Sequence, residues 1–168
     1  ESFISARITI LGNAATALLQ QRQFIEAEAG YRSVFAMIDT INDPESEQAF
    51  KWRAVTYHQL GRVAQERRDF DAAEEAYNTA LEIKLRLGDE HSAASTHHQL
   101  GIVAQERRDF DAAEVAYRTA LDIYIRLDDE YAAAGSYHQL GIVAQERRDL
   151  DAAEVAYRTA LDIYIRLD

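Results

Sequence analysis

The chain has 168 residues, enough for one compact domain or one short array. It carries 18 Lys and Arg against 29 Asp and Glu, a net charge of −11, with 1 Pro and no Cys. Lack of Cys excludes a disulfide framework and any Cys-ligated metal, 48% hydrophobic residues exclude disorder, and the acid excess argues against nucleic acid. The longest apolar runs, such as Val34 to Ile38, are too short to span a bilayer. The first residues, from Glu1, show no basic stretch followed by an apolar one, so no signal peptide is visible. The expectation is a cytoplasmic protein without a membrane segment.

The chain repeats itself. A weak first copy runs through Gln23-Phe24-Ile25-Glu26-Ala27-Glu28-Ala29-Gly30-Tyr31-Arg32, after a first helix bearing Thr16 and Gln20. The step from Phe24 to Phe70 is 46 residues, and later steps are 40. The six extra residues are expected to lengthen a helix capped by Asp43, with Pro44 at its first position. Residues 57–88 match residues 97–128 at 24 of 32 positions. Residues 97–128 and 137–168 differ only at His97/Tyr137 and Phe110/Leu150. The spacing predicts one array over 1–168, with units near 8–42, 43–88, 89–128 and 129–168.

Each unit reads as two helices. In the last, Tyr137, Leu140, Gly141 and Ala144 share one helical face, and so do Ala153, Tyr157, Ala160, Leu161 and Tyr164. Asp151 with Glu154 suggests a capping box, flanked by Leu150 and Val155 as a hydrophobic staple. Asp111/Glu114 with Phe110/Val115, and Asp71/Glu74, repeat the pattern. No window alternates as a strand does, so the chain is expected to be all-α. One helix pair cannot bury its own apolar stripe, so the pairs should stack into a solenoid. Gly61, Gly101 and Gly141 recur in mid-helix, where Gly costs about 1 kcal/mol against Ala. They predict a helix crossing that admits only a hydrogen. Gly135, with counterparts Ser95 and Val55, carries no such demand.

The Leu100-Gly101 pair, Phe110, Ala113, Tyr117 and Ala120-Leu121, repeated in three units, resemble the tetratricopeptide repeat family in its longer, 40-residue form. The resemblance implies a right-handed α-solenoid of stacked antiparallel helix pairs. Two departures stand out: Arg68, Arg108 and Arg148 replace the family's Gly between the helices, and the Pro after the second helix is absent.

The resemblance further implies a concave groove lined by first helices, holding a peptide or partner helix. Carried onto this sequence, that face is His58, Arg62, Gln65 and Glu66, then His98, Ile102, Gln105 and Glu106, then His138, Ile142, Gln145 and Glu146. Thr16 and Gln20 continue the stripe. Glu66, Glu106 and Glu146 would repel a carboxylate, so a neutral or basic protein partner is expected. The alternative function is homotypic assembly through the last repeat, a homodimer resting on Tyr157, Leu161 and Tyr164; a third reading is an enzyme accessory region. No metal site is expected, because His58, His98 and His138 sit one per unit and stacked helices lie about 8–10 Å apart. A His ladder predicts partner binding that changes near pH 6–7. With no nucleophile motif or phosphate loop, neither catalysis nor a cofactor is expected. Glu114, Arg118, Asp122 and Arg126, and Glu154, Arg158, Asp162 and Arg166, read as i,i+4 ion-pair ladders.

Overall fold

A computed structural model describes residues 2–167. The described residues form eight helices and no strand: α1 (Ser2–Gln20), α2 (Phe24–Ile38), α3 (Glu47–Glu66), α4 (Phe70–Arg86), α5 (Glu90–Glu106), α6 (Phe110–Arg126), α7 (Glu130–Glu146) and α8 (Leu150–Leu167). None of these helices is long and apolar enough to cross a membrane. The chain divides into two compact units, one ending at Gly88 and one starting at Asp89. Each unit holds two helix pairs, with α2 packed on α3 in the first and α6 on α7 in the second.

The turn inside each pair explains the Arg that replaces Gly. Arg22, Arg68, Arg108 and Arg148 have φ of 60°, 60°, 64° and 64°, in the left-handed region. The amide of Arg108 donates to Gln105 O at 2.9 Å and that of Asp109 to Ala104 O at 2.9 Å. This is a Schellman closure with Arg at the usual Gly position. A left-handed non-Gly residue costs about 1–2 kcal/mol. A guanidinium over the aromatic two positions on offsets part of that, about 0.5–1 kcal/mol. Arg22 lies 5.3 Å from the Phe24 ring centroid, Arg68 5.1 Å from Phe70 and Arg108 5.7 Å from Phe110. At the last turn Leu150 stands where Phe would, so Arg148 lacks that ring.

Three expectations about helix ends need correcting. The N-caps are Asp69, Asp109 and Asp149, not Asp71, Asp111 and Asp151; each accepts from the amide three residues on, Asp109 Oδ1 from Ala112 at 3.1 Å. The Asp that closes the first helix thus also opens the second, and the helix begins two residues early. Glu74, Glu114 and Glu154 consequently fall outside a capping box, and Leu150 and Val155 are exposed rather than stapled. In α3 the cap is Ser46, whose hydroxyl accepts from Ala49 N at 3.2 Å, rather than Asp43 before Pro44. The six extra residues do not simply lengthen that helix. It has 20 residues where α5 and α7 have 17, and the remainder goes into the connection between Ile38 and Glu47.

Inside each pair a tyrosine of the second helix lies on a small residue of the first. Tyr31, Tyr77 and Tyr117 are buried, and Tyr157 is half-buried. A Cβ on Gly61, Gly101 or Gly141 would come within 2.7, 2.6 or 2.6 Å of the ring of Tyr77, Tyr117 or Tyr157. Such a distance is a clash, so the recurrent Gly marks a real close approach. A Cβ on Gly135 would meet only the Tyr164 hydroxyl, at 3.9 Å.

Candidate functional site

The first-helix stripe divides into supports and outward positions. The tyrosine hydroxyls of Tyr77, Tyr117 and Tyr157 donate to Oε1 of Gln65, Gln105 and Gln145 at 3.0, 2.9 and 2.9 Å. His58, His98 and His138 meet the same three rings, with centroids 5.2, 5.2 and 5.6 Å apart. His and Gln of each stripe therefore grip the tyrosine of their own pair. Burial holds the Tyr117 phenol well above its ordinary range, with Glu106 adding to the effect. The exposed positions are Arg62, Glu66, Glu106 and Glu146, joined in the last pair by His138 and Gln145; Ile102 and Ile142 are half-buried. In the first pair, the Thr16 hydroxyl pairs with Tyr31 OH at 2.9 Å, and Gln20 is exposed.

Glu66 and Glu146 are engaged by the neighbouring pair. Glu66 lies 3.5 Å from Arg22 and Glu146 3.7 Å from Arg108, each Arg at the turn of the preceding pair. The exchange is reciprocal. Arg67 reaches back to Glu28 at 2.7 Å, and Arg147 reaches back to Glu114 at 2.6 Å and to Asp111. The one signal of this exchange in the sequence is the turn Arg recurring where Gly is usual. The ladders are also only half formed. Arg118 and Arg158 pair with Glu114 and Glu154 at 2.6 and 2.5 Å, but Arg126 and Arg166 cross to Glu90 and Glu130 at 2.5 and 2.9 Å. Asp122 and Asp162 lose those partners because the neighbouring first helix brings a carboxylate within reach.

The His ladder does not behave as one titrating set. Burial, then Lys84 and Arg62, pushes His58 down to about 4. Lys84 Nζ lies 3.4 Å from His58 Nδ1, and it occupies the position of Tyr124 and Tyr164 in later repeats. Burial lowers His97 and His98 as well. Hence the expected change near pH 6–7 does not hold at His58. The Ala132 amide, and then His91, whose Nε2 sits 2.8 Å from Asp129 Oδ2, hold the Asp129 carboxyl below its ordinary value. Among the described residues no cluster of His, Asp or Glu could hold a metal.

Beside the last pair, Tyr164 packs edge-on against Tyr131 at 5.4 Å and Tyr157 against His138. Leu161 is 57% exposed, whereas its repeat counterpart Leu121 is 6% exposed. A depression of about 780 Å³, which the sequence did not suggest, opens between α6 and α8 over Leu121, Tyr137, Leu140 and Val143. In the first unit the equivalent depression is smaller, about 150 Å³ over Leu60, Val63 and Ala64, and beside it Phe35 and Tyr57, counterparts of Leu121 and Tyr137, pack ring on ring at 4.6 Å.

The tetratricopeptide repeat profile matches residues 6–86, 52–126 and 92–166, which together cover nearly all of the chain. The chain belongs to the tetratricopeptide repeat family. Tetratricopeptide repeat chains are all-α solenoids that serve as protein–protein interaction modules. No curated protein matches by sequence. Among known structures, BtubC (BKLC) from P. vanneervenii is 25% identical, with a TM-score of 0.84 over 98% of this chain and 65% of that one. The apo form of RapI is 16% identical, with a TM-score of 0.80 over 95% of this chain and 43% of that one. The Rap conjugation gene regulator of plasmid pLS20, in complex with the Phr* peptide, is 17% identical, with a TM-score of 0.78 over 95% and 43%. The likeness to the Rap proteins is one of fold. The chain spans about two thirds of BtubC and less than half of either Rap protein.

Proposed function

We propose that this tetratricopeptide repeat chain binds a protein or peptide partner on its first-helix faces and carries no chemistry of its own. The observation that supports this is the division of labour on α3, α5 and α7. In each, His and Gln brace a tyrosine, and between and beyond them Arg62, Glu66, Glu106 and Glu146 are exposed while Ile102 and Ile142 are half-buried. A braced face loses little side-chain entropy on binding, which favours recognition. With Glu66 and Glu146 already facing Arg22 and Arg108, preference for a neutral or basic partner rests on the net charge of −11. The pLS20 Rap regulator, of like fold, has been solved with a peptide bound, and this lends the reading support.

The test is pulldown of partner by the chain and by Ile102→Asp and Glu106→Arg variants, with oligomer size followed by light scattering. Loss of partner at unchanged size supports the reading. Retention of partner by both variants removes it.

A second reading, homotypic association through Tyr157, Leu161 and Tyr164, draws on the exposure of Leu161. A strict monomer at high concentration counts against it.

A further inference from the structure

The one connection that departs from the period of the array also encloses a cavity. Residues 127–129 suffice to join α6 to α7, whereas residues 39–46 join α2 to α3. Arg53 staples the longer connection. Its side chain is 17% exposed, and its guanidinium donates to Pro44 O at 2.5 Å and to Asp39 Oδ1 at 3.1 Å, and lies 3.6 Å from Glu45. One planar fork thus holds three points of the loop, so its shape is set before anything binds. The Ser46 hydroxyl tightens it further, donating to Asp43 O at 2.8 Å.

Under this loop lies a cavity of about 290 Å³, bordered by Ile4 of α1, by Ile41, Asn42 and Asp43 of the connection, and by Gln48 and Trp52 of α3. No residue of the first-helix stripe borders it. Trp52 is half-buried and packs on the cluster of Ile8, Val34, Ile38 and Ala49. Phe50, two positions away, has the guanidinium groups of Arg53 and Arg86 at 5.6 and 4.5 Å from its ring centroid. Among the described residues no Lys or Arg stands over the Trp52 ring. The acids of the loop differ in the same way. Asp39 and Glu45 have Arg53, and Glu47 has Lys51 at 2.6 Å. Asp43 is exposed and has no ion pair among the described residues.

We propose that this cavity binds a small organic ammonium ion with an apolar body. Ligand pockets measure about 300–1,000 Å³, which puts this one at the size of a small molecule. The apolar body lies among Ile4, Ile41 and Trp52. The ammonium meets the Asp43 carboxylate in a charge-assisted hydrogen bond and is attracted by the indole ring. The net charge of −11 draws cations to it. An anion would face the Asp43 carboxylate, and the start of α3 is already capped, since the Ser46 hydroxyl accepts from Ala49 N at 3.2 Å. The site is distinct from the partner face proposed above and stands whether or not that face binds a protein.

The chain has one Trp, so indole fluorescence reports this cavity. The test titrates 2-phenylethylamine into the full chain, with 3-phenylpropionate as its anionic counterpart and calorimetry in parallel. A saturable change at millimolar amine is expected, and none with the anion. Asp43→Asn should weaken amine binding about fivefold, the weight of one exposed ion pair. Ile41→Lys places a competing ammonium among the lining residues and should abolish binding at unchanged helicity; if helicity falls, Asp43→Asn decides. Ile102→Asp, in the other compact unit, should leave binding unchanged. No saturable response, an equal or stronger response to the anion, or undiminished binding by Asp43→Asn overturns the proposal.

Discussion

The first helix pair and the later ones solve one packing problem with different residues. In the later pairs a Gly on the first helix receives the tyrosine ring, and a Gln four residues further along accepts its hydroxyl. In α1 and α2 the Gly has moved to the other helix. Gly30 faces Ala15, and a Cβ on Gly30 would lie 2.8 Å from the Ala15 Cβ. The acceptor has moved too, from Gln to Thr16. The comparison separates what the repeat requires from what it repeats by descent. The requirements are a buried tyrosine, one missing Cβ at the crossing and one partner for the hydroxyl.

The largest effect should come from the tyrosine. Tyr117→Ala is expected to cost about 3–5 kcal/mol in urea unfolding, and Tyr31→Ala a comparable amount, since both rings are buried. A Tyr31→Ala cost below 1 kcal/mol would mean that the first pair is not built on its tyrosine.

The next effect separates the second pair from the others through pH. His58 has its folded pKa lowered to about 4, from an ordinary 6.5. The unfolded chain therefore binds more protons between these values, and stability falls as pH drops from about 6.5 to about 4. The loss should be roughly 2–3 kcal/mol and should shrink in His58→Gln. Thermal melts at several pH values would read it; identical acid slopes for the two proteins would refute it.

At the crossing, Gly101→Val should cost about 1–3 kcal/mol through overpacking against Tyr117. Gly135→Ala should gain up to about 1 kcal/mol, because a helical Gly with open space yields to Ala. Paired chemical denaturation curves measure both. If Gly101→Val were as mild as Gly135→Ala, the close approach would not be limiting.

The smallest effect concerns the turns. Arg148→Gly should stabilise by about 0.5–1 kcal/mol, relieving a left-handed residue with no aromatic beside it. Arg108→Gly should be close to neutral, because it also forfeits the contacts to Phe110 and Glu146. Equal shifts in melting temperature would show that those contacts contribute nothing.

Much of the fold was legible in the sequence. The 40-residue period, the 3.6-residue stripes and the mid-helix Gly identified helix pairs and the place where they touch, because packing repeats when residues repeat. Helix ends were less legible. Asp69 and Asp71 are both plausible caps, and only the backbone hydrogen bonds of the preceding turn select Asp69. The candidate site was half legible. Spacing placed His98 and Gln105 on the chosen helix face, but it could not show that they bind Tyr117 rather than face outward. Nor could it place Arg126 on Glu90, since ion pairs between helices depend on how the helices meet.

The reciprocal Arg and Glu exchange between neighbouring pairs bears on assembly. Sliding one pair along another within a unit by a single helical turn would break its ion pairs at once, so the junction inside each unit has a definite register. It encodes no order, however. Residues 97–128 and 137–168 are nearly the same, and each offers the same charges and the same stripe. Order is supplied only by the covalent chain. During refolding at high concentration, a first helix from one molecule competes on nearly equal terms for a second helix of another. Near-identity between repeats thus makes the junctions interchangeable, and local concentration along the chain becomes what keeps partners correct.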